Sequence, residues 1–231
     1  MIIETIKPLM FENTQNYIYR VLKQNIISLS LAPGEGISES DLTAAFSSSR
    51  SPVRGALMRL NEEDLVVILP QKKTMVAKLD PEFIIQASFT RSLIETELML
   101  EVIKSGKAQM LATLMKNELS LIEAEMNDHE AGQFLNLLNH DIRLHGYIYQ
   151  TANREKLLTC LRLPYLHYNR FQSLHLRNQL DDGSFIPHHL ALAQLIEAEN
   201  LDAIVSRRDK NSERVKTVLD KSIAEHPDYF I

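Results

Sequence analysis

The chain has 231 residues, 45% of them hydrophobic and 24% charged, with a formal net charge of −5. This is globular composition, long enough for one large domain or two smaller ones. It excludes a uniformly basic nucleic-acid binder, a membrane span (no run of about 18 apolar residues) and an intrachain disulfide, since Cys160 stands alone.

"MIIETIKPLM" has an early acidic residue and no small-residue cleavage site, so it is not a secretory signal, and a cytoplasmic location is expected. Residues 11–30 read as a helix with Ile18, Val21, Leu22 and Ile26 on one face. "LAPGEG" breaks it. In "SESDL", Ser38 is placed to cap a second helix with Asp41 three residues on, and Leu42, Ala45 and Phe46 form its apolar face. Ser51 and Pro52 fit the cap and first position of a third helix over 51–61, whose apolar face is Val53, Ala56, Leu57 and Leu60. Two short helices joined so tightly predict a helix-turn-helix. "DLVVILP" (64–70) and "TMVAKL" (74–79) predict two strands around a basic tip, Gln71, Lys72 and Lys73, in the position of a wing.

Charge is unevenly spread. Residues 42–79 hold six cations against three anions. Arg54 is expected in the first turn of the third helix, where the macrodipole disfavours a cation by about 0.3–1 kcal/mol. With a DNA phosphate at that helix end the placement becomes favourable. Arg50 can reach a phosphate or a guanine edge, and Ser49 and Ser51 carry hydroxyls for phosphate. Gln71, Lys72 and Lys73 would touch the backbone or minor groove. The alternative is a surface helix with two solvated arginines.

From residue 81 onward strand signals vanish, and six helices are expected: 81–104, 107–127, 131–152, 154–177, 187–198 and 200–225. Ser105-Gly106, Ala131-Gly132 and Asp182-Gly183 separate several of them, and Pro164 is placed to kink the fourth. The chain therefore reads as mainly α: a winged helix-turn-helix over 1–80, then an all-α bundle over 81–231. On helix 131–152 the inward stripe is Phe134, Leu138, Asp141, His145, Ile148 and Ala152. A buried carboxylate needs a partner, and the candidates are the histidine itself, an arginine or a metal. His189 recurs on a face with Leu192 and Ile196, and Asn211 lies between Ile204, Val215 and Val218. A structural Asp–His hydrogen bond is the simpler account. Cys160, beside Leu158 and Leu161, reads as a buried inert thiol.

"LAPGEGISESDL" with "SSRSPVRGALMRLNEEDLV" resembles the winged helix-turn-helix of GntR-type bacterial transcription regulators over about residues 12–80. The resemblance implies DNA contacts by Arg50 and Arg54, with Ser49 and Ser51 beside them. The family usually has glycine where Asp64 stands and in the wing turn where Gln71-Lys72-Lys73-Thr74 stands, and glutamate where Gly55 stands. "RSLIETEL" and "DIRLHGYIYQTANREKL" resemble the FCD subgroup of these regulators. That implies a divalent metal of the zinc or nickel kind on Asp141, His145 and His189, with Asn211 where the family has a fourth ligand, a histidine. Asn is a weaker ligand for such metals. His188 is a substitute ligand if the local register differs by one. It also implies a small carboxylate effector near Arg91, with Arg170 of "HYNRF" a second candidate; a salt bridge to Glu95 is the plain alternative for Arg91. The reading is a ligand-responsive regulator, a homodimer on palindromic double-stranded DNA. Two other classes stay open: a metal-dependent hydrolase or lyase using Asp141, His145 and His189, and a helical interaction protein without a ligand.

Overall fold

Asn13 opens the first helix by accepting the Asn16 N–H at 2.8 Å, and α1 runs Thr14–Ile27. This computed structural model describes residues 3–69, 73–127 and 133–231. The chain parts into two units, Met1–Pro81 with Ile223–Ile231, and Glu82–Ser222. The first contains α1, β1 (Gly36–Ile37), α2 (Glu39–Ala45), α3 (Arg50–Glu62), β2 (Val66–Leu69) and β3 (Lys73–Val76). Ile18, Val21, Leu22 and Ile26 are buried with Leu42, Val53, Ala56, Leu57 and Leu60, so the expected faces of α1 and α3 are buried, whereas in α2 only Leu42 of its expected face is, Phe46 being half-buried and Ala45 exposed. At Gly55 a Cβ would lie 2.5 Å from the side-chain amide of the exposed Gln15 of α1, which would have to move aside.

Ser38 caps α2, accepting the Asp41 N–H at 3.2 Å. The start of α3 corrects the expectation. Ser49 is the cap residue, without a side-chain cap bond, and the helix begins at Arg50. Ser51 and Pro52 fall inside the first turn, where a missing proline N–H is still among the four that no helical carbonyl reaches. Arg50, not Arg54, therefore occupies that turn.

The sheet order is β1-β3-β2, antiparallel, with Gly36 opposite Met75 and Leu69 opposite Lys73. β1 is too short for any alternation to announce it. Asp64 has φ +55°, which accounts for a position where glycine is common; Asp tolerates this left-handed region better than most residues. Beyond the sheet, Leu79 N–H donates to Tyr229 O at 2.8 Å and Ile231 N–H to Leu79 O at 3.1 Å. Leu79 and Phe230 are both buried. The last nine residues thus belong with the first unit, not with the helical bundle to which the sequence reading assigned them.

The helical unit is built from α4 (Pro81–Lys104), α5 (Ala108–Asn127), α6 (Gln133–Thr151), α7 (Lys156–Cys160), α8 (Arg162–Asp182), α9 (Phe185–Glu197) and α10 (Leu201–Glu225). α5 packs on α6 and α9, and α6 on α8. Gly106 (φ +72°) and Gly183 (φ +66°) stand in the left-handed conformation just beyond α4 and α8. The breaker Ala131-Gly132 lies outside the described residues, as does the Phe134 side chain. The expected helix 154–177 is broken at Leu161 rather than kinked at Pro164, which sits in the first turn of α8. Cys160 is exposed, contrary to the expected buried thiol. Its helix has one turn, and Leu157, Leu158 and Leu161 define a half-buried side from which position 160 is rotated away. Among the described residues no helix is long and apolar enough to cross a membrane.

Leu57→Ala removes a side chain at the joint of α1 and α3. It is expected to destabilise the first unit by about 2–5 kcal/mol, read from the urea midpoint of the transition that reports this unit.

Candidate functional site

In the first unit, Ser49, Arg50, Ser51 and Arg54 are all exposed along the first turns of α3. No acidic residue stands in the first turn and no side chain caps it, so its N–H groups face outward without an internal acceptor. Arg54 Nε donates to Glu39 Oε2 of α2 at 2.9 Å, a half-exposed pair. Such pairs are worth about 0–1 kcal/mol, so the guanidinium is held lightly. Other cations of the basic stretch are used inside the unit. Arg59 lies 3.7 Å over the Tyr19 ring, and Lys78 Nζ donates to Phe230 O at 3.2 Å. Lys73 is exposed at the start of β3, while Gln71 and Lys72 lie outside the described residues.

In the helical unit, α6 projects Asp141 and His145 and α9 projects His189 into one cavity of about 90 Å³. One potential ligand atom from each of the three lies within 4.8 Å of the others. His189 Nε2 is 3.3 Å and His145 Nε2 is 3.8 Å from Asp141 Oδ1. The remaining ring nitrogens fix the tautomers. His189 Nδ1 is 3.0 Å from the Phe185 carbonyl, which can only accept, so this nitrogen carries the proton. His145 Nδ1 is 2.7 Å from Glu95 Oε2, a carboxylate, so it donates as well. With both Nδ1–H groups directed away, the two Nε2 atoms face one carboxylate oxygen, Asp141 Oδ1. Asp141 Oδ2 is buried and accepts no hydrogen bond.

Arg91 of α4 supplies the fixed positive charge. Its Nε donates to Glu95 Oε1 at 3.0 Å and its Nη2 lies 3.6 Å from Asp141 Oδ2. The expected i, i+4 pair with Glu95 is present, and Arg91 also lines the cavity. Burial pushes the Asp141 carboxyl up, but His145, His189 and Arg91 outweigh it and hold it well below the ordinary carboxylate range. Burial likewise opposes ionisation of Glu95, and Arg91 and His145 lower it. Histidine held by a carboxylate on the far nitrogen is the arrangement that orients metal ligands.

Asn211 of α10 lines the same cavity, with Oδ1 accepting from Arg214 at 3.0 Å. His188, the substitute ligand, is turned to other work. Its Nε2 accepts from Arg207 at 2.8 Å, and burial together with the Arg207 charge depresses its pKa to about 2. Arg170 does not line the cavity; it is fully buried in α8. Sequence reasoning passed over Arg207, Arg208 and Arg214, which do line it. Their spacing of one and seven on a helix was a usable signal, obscured by the charges around them.

Residues 14–76 match the family of bacterial regulatory proteins called gntR, and residues 86–208 match the FCD domain. An HTH-type transcriptional regulator from an unstable DNA locus of Streptomyces ambofaciens is 27% identical over 172 residues, which are 74% of this chain and 70% of that protein. The HTH-type transcriptional repressor RspR of Escherichia coli is 38% identical over 78 residues, 34% of each chain. Among solved structures, E. coli McbR/YncC superposes with a TM-score of 0.63 at 15% identity, covering 92% of this chain and 99% of that one. A GntR regulator from Rhodococcus sp. RHA1 gives 0.62 at 18% identity, with 91% and 96% covered. At these identities the structural likeness speaks for the fold.

Arg91→Leu strips the cation from two buried carboxylates. A loss of roughly 3–5 kcal/mol in the stability of the helical unit is expected from chemical denaturation; a loss under about 1 kcal/mol would mean that the pairing does not hold the cavity together.

Proposed function

Because the chain belongs to the GntR family of bacterial regulatory proteins and carries an FCD domain, we propose that it regulates transcription in response to a small carboxylate, docking on DNA through the start of α3 and receiving the carboxylate in the Asp141–His145–His189 cavity. The family and fold are those of transcription regulators, not of enzymes, so the hydrolase or lyase alternative falls away. The observation that carries the DNA reading is the open, uncapped first turn of α3 beside four exposed side chains that suit phosphate, Ser49, Arg50, Ser51 and Arg54. Phosphate oxygens would accept from the free N–H groups, and Arg54 would exchange the weak Glu39 contact for a phosphate or base edge. Lys73, with Gln71 and Lys72, is assigned to the wing contact. Two copies on a palindromic site would present two such helices to two half-sites.

The donor set of the cavity suits a divalent ion of the zinc or nickel kind. Asp141, His145 and His189 would hold it, and it would offer positive charge to the ligand carboxylate. Support comes from the two Nε2 atoms that converge on Asp141 Oδ1 and the buried Asp141 Oδ2 that accepts no hydrogen bond. Asn211 is assigned a weak part at most, its Oδ1 already accepting from Arg214. Ligand binding alters DNA affinity only through its differential affinity for the two arrangements of the protein.

Arg50→Ala and Arg54→Ala are each expected to weaken binding to a palindromic fragment from the gene's own upstream region by about 1–3 kcal/mol, with the thermal melting curve almost unmoved. Unchanged anisotropy titrations would sink the docking assignment. Elemental analysis should find a divalent metal in the purified protein and little in Asp141→Ala; equal content in both removes this site.

A further inference from the structure

Arg207 and Arg214 are the cations of the helical unit that need explaining. They lie seven residues apart on α10, two turns along one face, with Lys210 between them. Both line the inner cavity. Both also line an adjoining hollow of about 380 Å³, together with His188, Ala203, Ser206, Lys210 and Asn211. Among the described residues no carboxylate borders that hollow.

The partners of the two guanidinium groups are neutral. Arg207 Nη2 donates to His188 Nε2 at 2.8 Å and to His188 O at 3.0 Å. Arg214 Nη2 donates to Asn211 Oδ1 at 3.0 Å. Among the described residues neither forms an ion pair, whereas Arg20, Arg54, Arg91, Arg143 and Arg154 each face a carboxylate within 4.0 Å. Both are half-buried, so water compensates their charge only in part. Burial first, and then the Arg214 charge, lowers the Arg207 pKa, so the two charges repel each other. His188 orients Arg207 by accepting at its ring Nε2 and at its backbone carbonyl, and it brings no carboxylate to the guanidinium. Positive charge gathered in this way and left unneutralised suits an anion that the protein itself does not supply.

We infer that Arg207 and Arg214 form an anion subsite at the outer end of the cavity, so that the effector carries a second anionic group, a carboxylate or a phosphate. This rests on the carboxylate-sensing reading above, which places the first carboxylate at the Asp141–His145–His189 end. The ligand is then a small dianion whose two charged groups span the inner cavity and the outer hollow.

The test is ligand titration by thermal shift on the full chain supplied with zinc, at matched ionic strength, using acetate, succinate and phosphoglycolate as probes. Wild type is expected to bind succinate or phosphoglycolate roughly tenfold or more tightly than acetate. Whichever of the two wins identifies the second group as carboxylate or phosphate. In Arg207→Gln and Arg214→Gln the advantage should shrink to the acetate level, while the acetate response stays. Gln at 207 can still donate to His188, and the unliganded melting temperature of each variant reports any damage to the fold. If acetate matches the dianions, or both variants keep the full advantage, the subsite is overturned and sensing stands. If no probe moves the wild-type transition, the sensing reading fails and the subsite falls with it.

Discussion

Glu95 and Asp141 share a single buried arginine. Two buried carboxylates stay ionised only beside positive charge and hydrogen-bond donors, and Arg91, His145 and His189 are placed to supply them. The bundle is arranged around that requirement. α4 supplies the guanidinium and the carboxylate that aims His145, α6 supplies Asp141 and His145, and a backbone carbonyl one turn back in α9 aims His189. Moving any of these helices by an ångström would disturb the charge balance and the packing together.

The first unit handles charge in the opposite way. Its interior is mostly apolar, with Glu63 a buried exception, and its cations divide into those spent on the fold and those left at the surface. Arg59 is flattened on Tyr19, and Lys23 pairs with Glu63 in the cluster that also holds the Tyr19 hydroxyl. Arg50 and Arg54 sit exposed at the edge, Arg54 on a weak contact to Glu39, where a polyanion can compete for them at low cost. Composition alone could not make this division, since all of these residues look alike in a count of Lys and Arg.

Much of both units was legible because the periodicity of buried residues is a strong signal. The stripe through Leu138, Asp141, Ile148 and Ala152 is buried as its spacing implies, and the i, i+4 rule placed His145 beside Asp141. Boundaries were less legible. The serines at 49 and 51 compete equally for a helix cap, and Pro52 is compatible with more than one early position. Arg170 was misplaced because a polar residue on an inward face can point into the packed core as well as into a cavity. The α10 arginines were passed over because their meaning depends on what faces them, and His188 lies 19 residues from Arg207, a separation that no local pattern encodes.

The path of the chain through its two units has a practical meaning. The polypeptide leaves the first unit near Pro81 and re-enters it at Ile223. Residues 1–80 alone therefore lack part of their own unit. Cut there, the piece would lose the strand-like partner that covers Leu79, exposing an apolar side chain and orphaning its backbone N–H and C=O groups. A DNA-binding fragment of this protein should carry residues 223–231 rejoined through a short linker, and its solubility would depend more on that tail than on any residue at the DNA-facing edge.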